Sequence, residues 1–168
     1  IFKLLVTISL LAGILLNVVH TTSISAILSY YTLQSNMICL AVFIGIMVMI
    51  VLKKDYRSDD RYYILKGAVV MAILVTAITY QVALAPNGFQ MDISYTMRPE
   101  RYWANLLVHV ISPMLVLLDY VLFDKKGKFK YKYPVIWLCI PWGYVIYVYI
   151  YNALGGRFFG IGGSKEYA

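Results

Sequence analysis

Five long apolar stretches, each nearly free of charged residues, constrain the fold of this 168-residue chain more than any other feature. Each is close to the roughly 20 residues that a helix needs to cross a bilayer. The predicted spans are residues 1–19, 31–52, 64–85, 103–123 and 134–153. The sequence therefore predicts an all-α, polytopic transmembrane helix bundle that forms a single transmembrane domain over residues 1–168.

The composition agrees with a membrane protein. Hydrophobic residues make up 61% of the chain and charged residues 14%, whereas soluble domains have about 25% charged residues. A soluble domain and a disordered chain are therefore excluded, and nucleic-acid binding is not expected despite a net charge of +7. Because CxxC, HExxH, P-loop and GxSxG motifs are all missing from the sequence, we expect no metal and no cofactor.

The distribution of basic residues predicts the orientation of the helices, because lysine and arginine accumulate in short cytoplasmic loops. Eleven of them lie at the start of the first span or in and beside the second and fourth connections, against four in the third connection and the tail. We therefore expect a cytoplasmic N-terminus, with loops 53–63 and 124–133 in the cytoplasm. The second of these loops is also expected to contact anionic lipid headgroups.

Polar residues within the spans concentrate toward the predicted extracytoplasmic ends. On the fourth span, Asn105, His109 and Ser112 share one helical face, and Tyr80 lies on a polar face of the third span at the same level. We expect the two faces to form one intramembrane cavity that opens outward. Pro113 removes a backbone donor, so the fourth helix should bend beside this cavity.

The cytoplasmic halves of the spans are expected to be nearly all apolar except for Asp119. Its predicted role is structural, as the partner of a tyrosine or of a lysine from the following loop. Both cysteines lie in apolar runs and are expected to be buried. They should also stay free thiols, because Cys39 falls in the outer half of its helix and Cys139 in the inner half of its own.

Three segments resemble the androgen-induced membrane hydrolases: YYTLQSN at 30–36, NLLVHVISPMLVLLDYVLFDKKGK at 105–128 and PVIWLCIPWGYVIYVYIYNALGG at 134–156. The resemblance covers nearly the whole chain and is closest to the bacterial branch, which implies a bacterial plasma membrane. It implies a six-helix intramembrane threonine hydrolase of fatty acid esters, with Thr32 as the nucleophile and His109 as the catalytic histidine. The sixth helix would follow Ala168, so we expect the chain to lack both ends of the domain.

Elementary chemistry is consistent with this assignment. A threonine hydroxyl becomes nucleophilic when a base takes its proton, and histidine has the pKa closest to neutrality for that task. From the helix rise, Thr32 and His109 differ by about 9 Å in depth, which helix tilt must absorb. The candidate substrate-binding or oxyanion residues are Asn36, Tyr80, Asn105 and Ser112.

Two other interpretations stay open from the residues alone. Intramembrane Thr, Ser and Asn commonly bond backbone carbonyls or bridge helices, and a threonine at a helix start is commonly an N-cap. The chain would then be a non-catalytic lipid-binding or scaffold subunit of a membrane complex. A small transporter is the third interpretation. In all three, the expected partners are membrane lipid and, for the hydrolase, a lipid-like substrate.

Overall fold

The computed structural model describes residues 1–20, 28–86 and 99–155. It has five helices that are long and apolar enough to cross a membrane: α1 (Phe2–Val19), α2 (Tyr31–Val51), α3 (Asp60–Leu84), α4 (Pro99–Phe123) and α5 (Tyr133–Ala153). All regular secondary structure in the described residues is helical. The predicted all-α bundle is confirmed, and the chain is an integral, multi-pass membrane protein.

Helices α3 and α4 both begin before the apolar runs from which they were predicted. Asp59 caps α3, because its carboxylate accepts a hydrogen bond from the Arg61 amide at 2.9 Å. Pro99 opens α4, and Glu100 lies in its first turn, where a negative charge is favourable. These polar starts extend the helices past their apolar residues, so that Lys66 lies in the second turn of α3.

Helices α1 to α4 form a closed ring, in which α1 and α3 each pack against both α2 and α4. Gly13 allows α1 to approach α4 closely, since a Cβ atom there would lie 2.9 Å from Val108 Cγ1. All four helices contribute to a central apolar layer, here called the middle layer: Val6, Leu10, Cys39, Phe43, Val69, Val70, Ile73 and Val116.

Helix α5 lies outside this ring and is attached to it mainly through α3. Its helix is interrupted at Leu138, between Tyr133–Trp137 and Cys139–Ala153. Trp137 covers Gly67 so closely that a Cβ atom at Gly67 would lie 2.0 Å from the indole ring. By contrast, Cys139–Ala153 buries no residue. The first segment of α5 is therefore packed tightly into the bundle, and the second contacts it more loosely, through Tyr144 and Tyr147.

Candidate functional site

Helices α3 and α4 each contain one π-helical turn, at Tyr80–Leu84 and Leu107–Ile111. Such turns are rare and occur frequently at functional sites. The turn in α4 lies directly before Pro113, which has no amide to donate to the His109 carbonyl. The helix next to Pro113 therefore has a π turn that contains His109, and the bend expected there stays a prediction.

The imidazole of His109 is buried between α3 and α4. It stacks on the Tyr80 ring, with the two ring centroids 4.1 Å apart and an interplanar angle of 18°. It also lies within hydrogen-bonding reach of the Thr76 backbone. Its Nδ1 atom is fully buried and has no hydrogen-bond partner among the described residues. One ring nitrogen of His109 is therefore buried without a protein partner among the described residues.

Asn105 fixes the Tyr80 hydroxyl beside the imidazole. The Asn105 amide donates to Tyr80 Oη at 2.7 Å. Since this bond uses the phenolic oxygen as an acceptor, the hydroxyl proton of Tyr80 is left to donate elsewhere. His109, Tyr80 and Asn105, which the sequence places at one level, are thus brought into direct contact.

Asn36 connects α2 to the π turn of α4. Its Nδ2 atom donates to the Thr32 carbonyl at 2.7 Å and to the Val108 carbonyl at 3.2 Å. Both amide hydrogens are therefore used, so Asn36 has none left for an oxyanion. We call Asn36, Tyr80, Asn105 and His109 the polar cluster.

Thr32 lies one helical turn from Asn36, at the start of α2. Its side chain is half-buried, and its hydroxyl makes no hydrogen bond to any described residue. No hydrogen bond joins Thr32 to His109 among the described residues. Instead, Asn36 links the two through the backbone: it bonds the carbonyl of Thr32 and the carbonyl adjacent to His109.

Other polar residues near the site bridge helices. Ser112 forms a hydrogen bond with Ser9 of α1 at 2.8 Å, and Ser35 of α2 forms one with Thr76 of α3 at 2.7 Å. Both pairs are buried. Such bonds between membrane helices contribute on average about 0.6 kcal/mol each. Ser112, a candidate substrate contact from the sequence, is thus engaged with α1.

A second group of buried polar residues lies at the opposite end of the bundle, and we call it the charged cluster: Lys3, Lys66, Asp119 and Asp124. The Lys3 ammonium lies 3.0 and 2.8 Å from the two carboxylate oxygens of Asp119, and Lys66 lies 2.5 Å from one of them. Lys66 also lies 3.8 Å from Asp124. The cluster joins α1 and α3 to the end of α4 and to the residue that follows it.

The surroundings of Lys66 compensate for its complete burial. The Lys66 side chain is 0% exposed, and its ammonium lies 4.0 Å from the centroid of the Phe43 ring, an attractive cation–π geometry. The Tyr62 hydroxyl donates to the other carboxylate oxygen of Asp124. Two lysines face two aspartates, so the cluster carries no net charge.

The expected partners of Asp119 were wrong. Asp119 pairs with Lys3 and Lys66 rather than with a tyrosine or a lysine from the following loop. The expectation of apolar cytoplasmic halves fails for the same reason, since both lysines are buried inside helices. The signal was present in the sequence, because an ionisable residue within a run such as residues 62–84 requires a partner.

The two cysteines are free thiols, as predicted, but only Cys39 is buried. Cys139 is exposed because the second segment of α5 stands away from the ring. In the described part of the chain, no three His, Cys, Asp or Glu side chains are arranged to hold a metal ion.

Comparisons of the chain with protein-family models, with curated proteins and with solved structures find no match. The resemblance to the androgen-induced membrane hydrolases is therefore carried by the three quoted segments alone. The residues that the site offers to chemistry are His109 with its free Nδ1, the Tyr80 hydroxyl and the Thr32 hydroxyl.

Proposed function

We propose that this protein is an intramembrane hydrolase that cleaves a lipid-like ester, with Thr32 as the nucleophile and His109 as the general base. One observation carries the proposal: a buried histidine in a π turn has an unpartnered Nδ1 and stacks on a tyrosine whose hydroxyl is free to donate. A purely structural histidine would be expected to use both ring nitrogens, because an unmet buried nitrogen is costly.

In the proposed reaction, Thr32 Oγ1 attacks the ester carbonyl carbon while His109 takes the hydroxyl proton. The tetrahedral intermediate then collapses, the bond to the alcohol oxygen breaks, and His109 returns the proton to the leaving alcohol. A water molecule, deprotonated by the same imidazole, attacks the acyl-threonine. This second step releases the carboxylic acid and restores the threonine hydroxyl.

Tyr80 is the residue best suited to stabilise the oxyanion of these intermediates. Its hydroxyl proton is free because Asn105 supplies the hydrogen bond that the phenolic oxygen accepts. A donor that is positioned before the reaction stabilises developing charge without reorganisation. Asn36 has a different role in the proposal, since its amide holds the Thr32 turn against the backbone beside His109.

The proposal includes an orientation, with a cytoplasmic N-terminus in a bacterial plasma membrane. The basic residues support it, with eleven on the proposed cytoplasmic side against four on the other. The polar cluster then faces the outer leaflet. A reagent that does not cross the membrane should label single cysteines placed at Lys126 and at Arg101 from opposite sides. Labelling of both cysteines from the same side would refute this part of the proposal.

The middle layer favours a hydrolase over a transporter. Along α1, α3 and α4, its residues lie between the charged cluster and the polar residues of the other end. The described side chains therefore form no continuous polar path from one end of the bundle to the other. A lipid hydrolase needs no such path, because its substrate reaches the site from the bilayer.

Ester hydrolysis by the purified protein in lipid nanodiscs tests the proposal. Thr32→Ala, His109→Ala and the double variant should each lose roughly a thousandfold or more of kcat/KM, and by similar amounts, because residues that act as one unit are not additive. Thr32→Ser should keep part of the activity. Thr7→Ala is the matched control, since its hydroxyl bonds the Lys3 carbonyl at 2.8 Å, away from the site.

Fluorophosphonate labelling gives an independent reading of the nucleophile. The label should attach to Thr32 in the unaltered protein and should be lost in Thr32→Ala, while Thr7→Ala keeps it. Ester hydrolysis by Thr32→Ala at the rate of the unaltered protein would refute the threonine mechanism. A protein that binds lipid but hydrolyses no ester would instead be the lipid-binding subunit that the residues alone also allow.

A further inference from the structure

A groove of about 300 Å3 lies between α2 and α5, outside the closed ring. It exists because α5 is held to the ring by its first segment, while Cys139–Ala153 stands away and buries no residue. The residues that define it are Tyr31, Ser35 and Ile38 on α2 and Cys139, Gly143 and Tyr144 on α5. The mechanism proposed above does not use this groove.

The lining of the groove is uncharged. Lysine, arginine, aspartate and glutamate are all missing from its described walls, so an anionic headgroup would meet no counter-charge. At one end, the rings of Tyr31 and Tyr144 meet edge to face, with centroids 5.1 Å apart. The buried hydroxyl of Tyr31 has no hydrogen-bond partner among the described residues. The groove thus offers uncharged hydrogen-bonding groups, among them the Tyr31 hydroxyl and the Gln34 amide, and no charge.

The opposite end of the groove is apolar, formed by Ile38, Cys139 and Ile140. The groove follows α2 from Tyr31 to Ile38, about 10 Å along the helix axis. Its volume is at the lower limit of ligand pockets, which suits one hydrocarbon chain rather than two. Because it lies between two membrane-spanning helices, the surrounding lipid reaches it directly.

The geometry points to a binding groove for a neutral, single-chain acyl ester such as a monoacylglycerol. The ester carbonyl accepts a hydrogen bond from Tyr31 Oη, and the acyl chain lies along Ile38 and Ile140. This ligand satisfies the unpartnered Tyr31 hydroxyl and fills the apolar end of the groove. A charged single-chain lipid would share the chain but would bring an uncompensated charge to the tyrosines.

The groove is separated from the polar cluster by one pair of side chains. Ser35 lines the groove, and its hydroxyl lies 2.7 Å from Thr76 Oγ1 on the neighbouring helix. The Thr76 backbone in turn lies within hydrogen-bonding reach of His109. Lipid binding in the groove is independent of the proposed function. Delivery of substrate from the groove to His109 rests on that function.

Photo-crosslinking in nanodiscs tests the groove with defined probes. A monoacylglycerol that carries a diazirine in its chain should label peptides from α2 and α5, and a lysophosphatidic acid with the same chain should label them far less. Gly143→Phe should weaken labelling roughly tenfold, because its ring would occupy the groove. Gly45→Phe is the matched control, since a Cβ atom at either glycine meets no atom within 4 Å and Gly45 is exposed outside the groove.

A second variant keeps the test valid if Gly143→Phe misfolds. Tyr31→Phe keeps the ring and removes only the hydroxyl, so labelling should fall roughly two- to tenfold, as expected for one lost hydrogen bond. Equal labelling of Tyr31→Phe and the unaltered protein would overturn the assigned carbonyl contact. Stronger labelling by the lysophosphatidic acid would overturn the neutral-ligand assignment.

The His109→Ala variant separates this inference from the proposed function. Labelling of α2 and α5 should persist in that variant, because His109 is not part of the groove. Labelling without ester hydrolysis in the unaltered protein would uphold the groove and reject the hydrolase. Ester hydrolysis together with crosslinks confined to other helices would uphold the hydrolase and reject the groove.

Discussion

Replacing Asp119 by asparagine tests whether the charged cluster holds the bundle together. Asp119→Asn keeps the shape of the side chain and removes the carboxylate that lies within 3.0 Å of both lysine ammonium groups. The cluster changes from neutral to a net charge of +1. Lys66 keeps only Asp124, at 3.8 Å, as an opposite charge.

Breaking a buried ion pair by removing one partner costs about 3–5 kcal/mol, because the other charge stays buried without compensation. Lys66 meets this condition fully, with a side chain that is 0% exposed, and Lys3 nearly so, at 10%. We therefore expect Asp119→Asn to lower the free energy of unfolding by about 3–5 kcal/mol. This corresponds to a roughly 100- to 4,000-fold change in the unfolding equilibrium constant.

The charge balance makes a sharper prediction for a double variant. Lys3→Met in the Asp119→Asn background returns the cluster to neutrality, with Lys66 facing Asp124. It should therefore recover a large part of the lost stability, although a second residue has been changed.

Unfolding in mixed micelles with a rising fraction of sodium dodecyl sulfate, followed by circular dichroism, measures these differences. Lys130→Ala is the control, because the Lys130–Asp60 pair is solvent-exposed and should contribute little. An unchanged free energy of unfolding in Asp119→Asn would refute the argument from charge balance. A double variant that is no more stable than the single variant would also refute it.

Three further predictions concern packing, chemistry and access. Gly67→Ala should destabilise the attachment of α5 by about 1–3 kcal/mol in the same unfolding assay, because its methyl group would lie 2.0 Å from an indole ring, whereas Gly45→Ala should not. If Tyr80 is the oxyanion donor, Tyr80→Phe should lower kcat for ester hydrolysis roughly 100- to 1,000-fold with little change in KM. Maleimide should alkylate Cys139 in the folded protein and leave Cys39 unmodified until the protein unfolds, as mass spectrometry would show.

The helices could be predicted from the sequence because the length of an apolar run is a local property. The predicted ends of the first, second and fifth spans agree with α1, α2 and α5 within one residue. The starts of α3 and α4 were missed because polar residues extend these helices. The cap at Asp59 and the proline at Pro99 are local signals as well, and they locate both starts correctly when they are used.

Contacts between distant parts of the chain could not be predicted in the same way. Asp119 is 116 residues from Lys3 and 53 from Lys66, and no local pattern pairs them. Counting both lysines as loop charges gave them a topological role and concealed their contact with Asp119. For the polar cluster, helical spacing correctly placed His109 and Tyr80 at one level, but their stacking depends on how α3 and α4 pack.

The groove shows a third limit of the sequence. Two polar faces were expected to form a cavity between the third and fourth spans, but the rings of Tyr80 and His109 stack there in direct contact. The groove between α2 and α5 was not predicted. It results from the loose packing of the second segment of α5, whose apolar residues look the same in sequence as those of a tightly packed helix.

The order in which the chain is synthesised gives the charged cluster a further consequence. Lys3 and Lys66 leave the ribosome before Asp119, which follows them by 116 and 53 residues. At about 5–20 residues per second, each lysine waits for seconds without its carboxylate. During that interval the membrane-insertion machinery has to accommodate two unpaired lysines in otherwise apolar helices. The arrival of α4 would then be the step that allows α1 and α3 to settle in the bilayer, so assembly of the ring would depend on the helix that also carries His109.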